Sequence, residues 1–365
     1  TAANSGDSIY VLEGTYYECL TITKNNLKLI GENPNTTIID GNYTGTVINL
    51  LADNITIAGF TIRRSGDNEE GLCLDHANNN IIINNTYYDC HVGILLKNSG
   101  GNKIIRNILS NNSLGIILAV NSTQNVISEN VIILNNQGID LRAYTSNNIL
   151  SNNTITNNWY SGVYLSLSKE NIITENIVRQ NRNGFYLYGF LSTKNNITCN
   201  EIANNNEGIH IFQSSNNIFY HNNFINNTCQ VYFEDSSANI WDNGEEGNYW
   251  SDYNGKDADN NGIGDAPYVI NFNNQDNYPL MYLWRCEKPH VEGSPYIIEV
   301  ILLTASFLVV LGIVIYIRKL KKLVANSKRI SSVHQVFLKL CFRNFFANKN
   351  NRMATPAANK TNTIT

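Results

Sequence analysis

The hexapeptide GIILAV (residues 115–120) decides the fold, because it recurs down the chain in altered but alignable form. Aligned on its glycine stand GLCLDH (71–76), GILLKN (93–98), GIDLRA (138–143), GVYLSL (162–167), GFYLYG (184–189) and GIHIFQ (208–213). An eighth copy, QVYFED (230–235), has Gln230 in the glycine position. Successive markers lie 22, 22, 23, 24, 22, 24 and 22 residues apart. Self-similarity at such a period is the mark of a stacked-repeat architecture. Each repeat also carries a second apolar pair upstream, as in NVISENVIIL (125–134) and NIITENIV (171–178). Short β-branched runs separated by Asn clusters read as strands and turns. A short amphipathic strand cannot bury its apolar side alone, so coils stacked at about 4.8 Å must share one continuous core. Crossover preference favours a right-handed coil.

The expected fold is therefore all-β: a right-handed parallel β-helix with coils of about 22 to 24 residues. Residues 1–239 form it, with SIYVLEGTYYECLTI (8–22), LKLIGENPNTTIIDG (27–41) and ITIAGFTIRRSG (55–66) as first coils of looser period. Eight residues before the marker stand Asn85, Asn107, Asn130, Asn176, Asn200 and Asn222, with Asn153 one residue further back; three before it stand Asn112, Asn135, Asn181, Asn205 and Asn227. Stacked turns place like residues above one another, where amide side chains bond in ladders and Asn tolerates left-handed backbone angles. These asparagines are structural.

Beyond the repeats, residues 240–285 read as an aromatic and acidic cap over the open end, and 286–295 as a stalk. VILLTASFLVVLGIVIYI (300–317) is a run of 18 uncharged, mostly apolar residues. A helix of that length spans roughly 27 Å, near the hydrocarbon thickness of a bilayer. One C-terminal transmembrane α-helix is expected over 296–317. Of 26 basic and 30 acidic residues in the chain, 11 basic and no acidic ones lie from Arg318 onward, leaving 15 basic against 30 acidic before it. By the positive-inside rule residues 318–365 are a basic cytoplasmic tail and the repeats are extracellular: a single-pass cell-membrane protein. That topology requires an export signal, which is absent from the start at Thr1, so the expectation is a sequence missing its beginning. Six cysteines precede the span and form no C-x-x-C pair; disulfides and buried free thiols are both open to them. Several N-x-[ST] sites, Asn35 and Asn226 among them, allow glycosylation outside the cell. Nothing calls for a nucleic-acid partner.

Function is sought on the outward side of the marker strand, where alternate side chains leave the core. The first outward column reads Cys73, Leu95, Ile117, Asp140, Tyr164, Tyr186, His210, Tyr232; the second reads Asp75, Lys97, Ala119, Arg142, Ser166, Tyr188, Phe212, Glu234. Both turn aromatic from Tyr164 onward. Rows of rings suit sugar faces, because they bury area with little entropy loss while hydroxyls hydrogen-bond. The candidate ligand-binding residues are Tyr164, Tyr186, Tyr188, His210, Phe212 and Tyr232, for a polysaccharide or glycan; mutual stabilisation of neighbouring strands explains the same rings without a ligand. Glycosidases need two carboxyl groups about 5 to 9.5 Å apart, and these columns do not place such a pair. Asp140 and Arg142 are the catalytic candidates for proton abstraction, and a surface ion pair explains them equally. Asp257, Asp259, Asn261, Gly262 and Asp265 follow D-x-D-x-N-G-x-G-D spacing, with oxygen ligands at alternate positions as in loops that wrap a structural Ca²⁺. Tyr268 stands where an EF-hand places its bidentate Glu, so the loop is not one.

GDSIYVLEGTYYECLTI (6–22), LIGENPNTTIIDG (29–41), the N-N-x-x-G-I-x-L coils and GNYWSDYNGKDADNNGIGDAPYVI (247–270) with DNYPLM (276–281) together resemble NosD-like parallel β-helix proteins with CASH-type (carbohydrate-binding and sugar-hydrolase) repeats, archaeal surface members above all. The resemblance covers about residues 5–285. It implies a right-handed β-helix and leaves three functions: an anchored, non-enzymatic surface protein binding carbohydrate or cell-surface components, a polysaccharide lyase, hydrolase or epimerase, or an accessory protein for copper. Fold analogy alone does not choose among them. The residues favour the first, since His76, His91, His210 and His221 are scattered and the chain has only two Met, whereas soft metal sites cluster such ligands.

Overall fold

The computed structural model describes residues 3–235 and 238–286. The stalk from residue 287, the transmembrane helix expected over 296–317 and the tail 318–365 lie outside the described residues. Among the described residues the secondary structure is entirely β. The chain winds as a parallel β-solenoid whose coils each contribute one strand to three sheets of 10, 11 and 10 strands. The first coil supplies Ser8–Val11, Gly14–Tyr17 and Leu20–Ile22. Later coils settle to two three-residue strands and one six-residue strand, as in Val126–Ser128, Val131–Ile133 and Gln137–Arg142. The six-residue strand is the marker repeat, paired in register from coil to coil: Ile139 with Val163, Asp140 with Tyr164, Leu141 with Leu165.

Four inward columns build the core. Ile82, Ile104, Ile127, Leu150 and Ile173 come from the first sheet, Tyr87, Leu109, Ile132, Ile155 and Val178 from the second, and Ile94, Ile116, Ile139, Val163 with Leu96, Leu118, Leu141, Leu165 from the third. All are fully buried, and each such aliphatic side chain contributes about 1.5–3 kcal/mol. Stacking is what makes this possible, since every inward residue is roofed by its counterpart in the next coil.

Three Asn ladders run along the corners. Asn130 Oδ1 accepts from the backbone N–H of Asn107 at 2.9 Å and from its side-chain amide at 3.1 Å. Asn130 Nδ2 in turn donates to Asn153 Oδ1 and to the Ile104 carbonyl, at 3.0 and 2.8 Å. The same pattern links Asn112, Asn135, Asn158, Asn181, Asn205 and Asn227. It also links Asn80, Asn102, Asn125, Asn148, Asn171, Asn195 and Asn217, a column outside the sequence expectation. Within a coil the ladder positions are five residues apart, as in Asn125, Asn130 and Asn135. All variation in coil length therefore falls between the third ladder and the next first one, in the six-residue strand and its flanking loops. Counted back from the marker the first ladder stands 13 residues away, 14 at Asn148, as regular as the other two.

The left-handed backbone is not where the sequence placed it. Ladder asparagines are not left-handed; the residue before each one is, for example Asn84 (φ 55°), Arg106 (55°), Glu129 (57°), Leu134 (59°) and Gln180 (56°). Each ladder Asn is buried and spends its amide on neighbouring coils, while the preceding exposed residue turns the corner. A non-glycine residue there is disfavoured by about 1–2 kcal/mol, which the ladder bonds offset.

The marker glycines are required for space rather than torsion. A Cβ on Gly93 would lie 2.7 Å from the Gly115 carbonyl oxygen and 2.8 Å from Leu109. Gln230 escapes the rule because the third sheet ends on its strand, Cys229–Glu234, so no coil closes over it. Residues 240–285 then finish the stack. Tyr249–Trp250 pairs with Asn223–Ile225 and adds an eleventh strand to the second sheet. Phe224, Trp250 and Tyr268 stack at centroid separations of 4.1 and 4.2 Å. The strand Asn274–Asp276 ends two ladders: Asn274 Oδ1 accepts from Asn239 N and Trp241 Nε1, and Asp276 Oδ2 accepts from Asn248 N and Trp250 Nε1.

Candidate functional site

The outward side of the third sheet brings the aromatic residues together in an unbroken contact chain. Tyr164 meets Tyr186 edge-on at 5.3 Å, Tyr186 packs on His210 at 4.4 Å, and His210 on Tyr232 at 4.8 Å. In the neighbouring column Tyr188 and Phe212 stack at 5.0 Å and 17°. These contacts run along the solenoid axis and are mostly edge-on or tilted, with face-to-face stacking only at Tyr188–Phe212 and Tyr164–Tyr188. The field begins at Tyr164, beyond which the column continues with Asp140.

That margin holds a cleft of about 400 Å³ lined by Gln137, Arg142, Tyr160, Tyr164, Ser166, Tyr186 and Tyr188. Its origin is one small residue. Arg142, Ser166 and Tyr188 are register neighbours on three successive strands, so Ser166 is a floor between two long side chains about 9–10 Å apart, two strand spacings. Tyr160, in the lining, carries the Arg182 guanidinium 5.7 Å over its ring. Burial raises the Tyr164 and Tyr186 hydroxyls above the usual phenol range, so both are neutral donors and acceptors at neutral pH.

Asp140 faces outward yet is only 1% exposed, covered by Arg142 and Tyr164. Its Oδ2 accepts from Arg142 Nη2, and its Oδ1 and Arg142 Nε have no partner. Burial raises the Asp140 carboxyl above its usual value while the guanidinium opposes the rise. The pair is thus half sunk into the sheet, not a solvated surface bridge, with Arg142 alone reaching the cleft.

At the far end His210 lies between two carboxylates. Its Nδ1 is 2.7 Å from Glu207 Oε2, and its Nε2 is 3.8 Å from Glu234 Oε2. Glu207 was missed because it precedes the marker glycine, a third outward column that also holds Gln137, Ser161 and Asn183. Tyr160 was missed for the same reason of position. Alternation read forward from the glycine passes over both.

The loop with Asp257, Asp259, Asn261 and Asp265 turns its carboxylates onto its own backbone. Asp257 accepts from Asn261 N and Gly262 N, Asp259 from Asn261 N, and Asp265 from Ala258 N, at 2.9 to 3.2 Å. Among the described residues no three His, Cys, Asp or Glu side chains converge as metal ligands. His76, His210 and His221 are each paired with a carboxylate, Asp75, Glu207 and Glu246.

The fold and this face define a class: a parallel β-solenoid presenting an aromatic outer sheet with a cleft at its margin. A family model described as periplasmic copper-binding protein (NosD) matches residues 2–147 and 115–255, and the chain belongs to that family. The probable ABC transporter binding protein NosD of Pseudomonas aeruginosa is 40% identical over 91 residues, covering 25% of this chain and 21% of that protein. Its counterpart in Stutzerimonas stutzeri is 37% identical over 91 residues with the same coverage. The chain thus spans about a fifth of the curated relatives it matches. Among solved structures, the enzymatically active domain of tailspike protein 2 from bacteriophage CBA120 is similar in fold, with a TM-score of 0.53, 12% identity and coverage of 64% of this chain and 43% of that one. A mutant tailspike protein of E. coli bacteriophage HK620, solved with a pentasaccharide, gives 0.50 at 14% identity over 62% of this chain and 48% of its own. At such identities the likeness is one of fold.

Among the described residues no cluster of three His, Cys, Asp or Glu side chains matches the copper in the family's description. Three of the four described histidines, His76, His210 and His221, are dispersed and paired with carboxylates, and the chain has two methionines; a soft copper site gathers thiolate, thioether or imidazole ligands.

Proposed function

We propose that the chain is a right-handed parallel β-helix held at the cell membrane by one helix over residues 296–317, with its repeats outside, its tail 318–365 in the cytoplasm, and its third sheet binding a carbohydrate chain. The observation behind the binding reading is the cleft with Ser166 as floor, Arg142 and Tyr188 as walls, and neutral Tyr164 and Tyr186 hydroxyls in its lining. It offers one sugar unit apolar ring surface together with hydrogen-bond donors and acceptors, the combination that pyranose recognition needs. The relative solved with a pentasaccharide shares the fold and lends the reading support at that level only. A periplasmic or extracellular location agrees with the family's description. A glycan array screened with residues 1–295, with and without calcium, tests it: retention of a defined glycan class is expected, and none across the array would refute it. A structural Ca²⁺ in the loop from Asp257 to Asp265 is a separate proposal, resting on ligand spacing; a melting temperature indifferent to calcium would refute it.

One observation favours a second reading, catalysis on the same face. Glu207 and Glu234 flank His210 beside the rings, which puts two carboxyl groups and an imidazole within reach of one ligand, the ingredients of proton transfer to or from a sugar. Glu207→Gln would abolish turnover of any glycan the protein cleaves or epimerises while leaving its retention intact.

A further inference from the structure

We infer that Cys199 and Cys286 form a disulfide that staples the chain leaving the cap to the flank of the solenoid. The inference is independent of the carbohydrate reading. Cys199 follows the strand Asn196–Thr198 at the corner between the first and second sheets, with φ 58°. In the other coils from Ile81 onward that left-handed corner position is occupied by Asn84, Arg106, Glu129, Asn152, Glu175 and His221. All of these are polar and suited to a corner that faces water; the thiol is the exception.

The reason for the exception lies far away in sequence. Thr198 pairs with Tyr220, so Cys199 and His221 are corner neighbours one coil apart. The returning chain is fixed at His221: the Trp284 indole stacks on its imidazole at 3.5 Å and 10°. Asn223 clamps the same residue, accepting from Trp284 N at 2.8 Å and donating to Trp284 O at 3.0 Å. Held at ring and backbone, Trp284 directs Cys286, two residues on, back over the corner. There Cys286 lies close enough to act on the Cys199 side chain, with Trp284 and Thr174 bordering the pair. Both cysteines are partly buried. Neither thiol has this neighbour until the cap has folded over the last coil, so the bond reports a completed stack.

Oxidation proceeds by exchange with a disulfide-containing oxidant, small-molecule or protein. Burial first, and then the neighbouring Cys286, push the Cys199 thiol up to about 12, so Cys199 is the poorer first nucleophile. The Cys286 thiolate attacks the incoming disulfide, forming a mixed disulfide and expelling one thiolate. Cys199, on losing its proton, then attacks the Cys286 sulfur and expels the second. Two thiols of the protein are oxidised and one external disulfide is reduced to two thiols, which balances atoms and electrons. The second step carries the slow deprotonation, so closure accelerates as pH rises.

The full chain, equilibrated with oxidised glutathione, alkylated and digested without reduction, should give one linked species joining the peptides of Cys199 and Cys286. Cys286→Ser should free Cys199 for alkylation, and Cys199→Ser should free Cys286. Reduction should lower the melting midpoint by roughly 5 °C in the wild type, in line with the stabilisation expected from closing a long loop, and leave it unmoved in the double Ser variant. Full alkylation of both thiols in the oxidised wild type, or linkage of Cys286 to a different cysteine, would overturn the inference. The mapping on wild-type protein needs no variant to fold.

Discussion

Asp276 Oδ2 accepts a hydrogen bond from the Trp250 indole N–H at 2.9 Å, with both side chains buried at the capped end of the solenoid. The same oxygen accepts from Asn248 N at 2.7 Å, so one carboxylate terminates an Asn ladder and an aromatic stack together. Desolvation is the largest influence on this group and raises its pKa to about 6 from 3.8, against the pull of the backbone and indole donors.

The direction of the pH dependence follows. Between about 4 and 6 the folded protein holds a proton at Asp276 that the unfolded chain has released, so the group's contribution to stability falls as pH rises through that window. Above it, ionised Asp276 costs the fold roughly 2–3 kcal/mol relative to acid conditions. Denaturant titrations at pH 4 and pH 7.5 on wild type and Asp276→Asn should show this slope only in the wild type. Equal slopes would contradict the assignment.

Asn130 and its neighbour Glu129 should respond oppositely to replacement. Asn130→Ala strands the Asn107 N–H and the Ile104 carbonyl in the interior, a loss of about 3–5 kcal/mol. Glu129→Gly removes an exposed ion pair with Arg106 but relieves a left-handed torsion, leaving stability unchanged or higher by up to about 1 kcal/mol. Urea unfolding midpoints of the two variants distinguish corner strain from ladder bonding.

Gly93→Ala drives a methyl group into the Gly115 carbonyl and Leu109, and should cost more than about 2 kcal/mol or prevent folding. Gln230→Ala, at the equivalent place in the last coil, loses only the bonds from Asn227 and to Ser251 and Asp252, about 1 kcal/mol. Expression yield and thermal melting of the pair provide the comparison.

Ser166→Trp should fill the cleft between Arg142 and Tyr188 without touching core or ladders. Retention of an array-positive glycan is expected to fall by at least roughly tenfold, with unchanged melting, since an occupied subsite excludes its ligand. Alanine at Tyr164, Tyr186 and Tyr188 should also abolish retention while the protein stays folded. Undiminished retention in both variants would remove the aromatic face from consideration.

Much of this was open to reading in one dimension. The glycine register and the alternation of Ile, Leu and Val determined the parallel coils, the inward columns and two of the Asn ladders, because in a solenoid each residue's environment is set by its counterpart one period away. The six aromatic candidates also fell on one face, for the same reason. What tertiary structure alone decided is where the periodic rule does not reach. The stacking of coils roofs Gly93 but leaves room for the Gln230 side chain beneath the cap, and left-handed torsions fall beside the ladder asparagines because the amide must point inward for its bonds. A cleft exists because Ser166 is small between two long neighbours across strands, a relation invisible along the chain. Glu207 meets His210, Asp276 meets Trp250 and Cys286 meets Cys199 through contacts set by strand register and by the return of the cap, and such contacts depend on three-dimensional closure and leave no spacing to read.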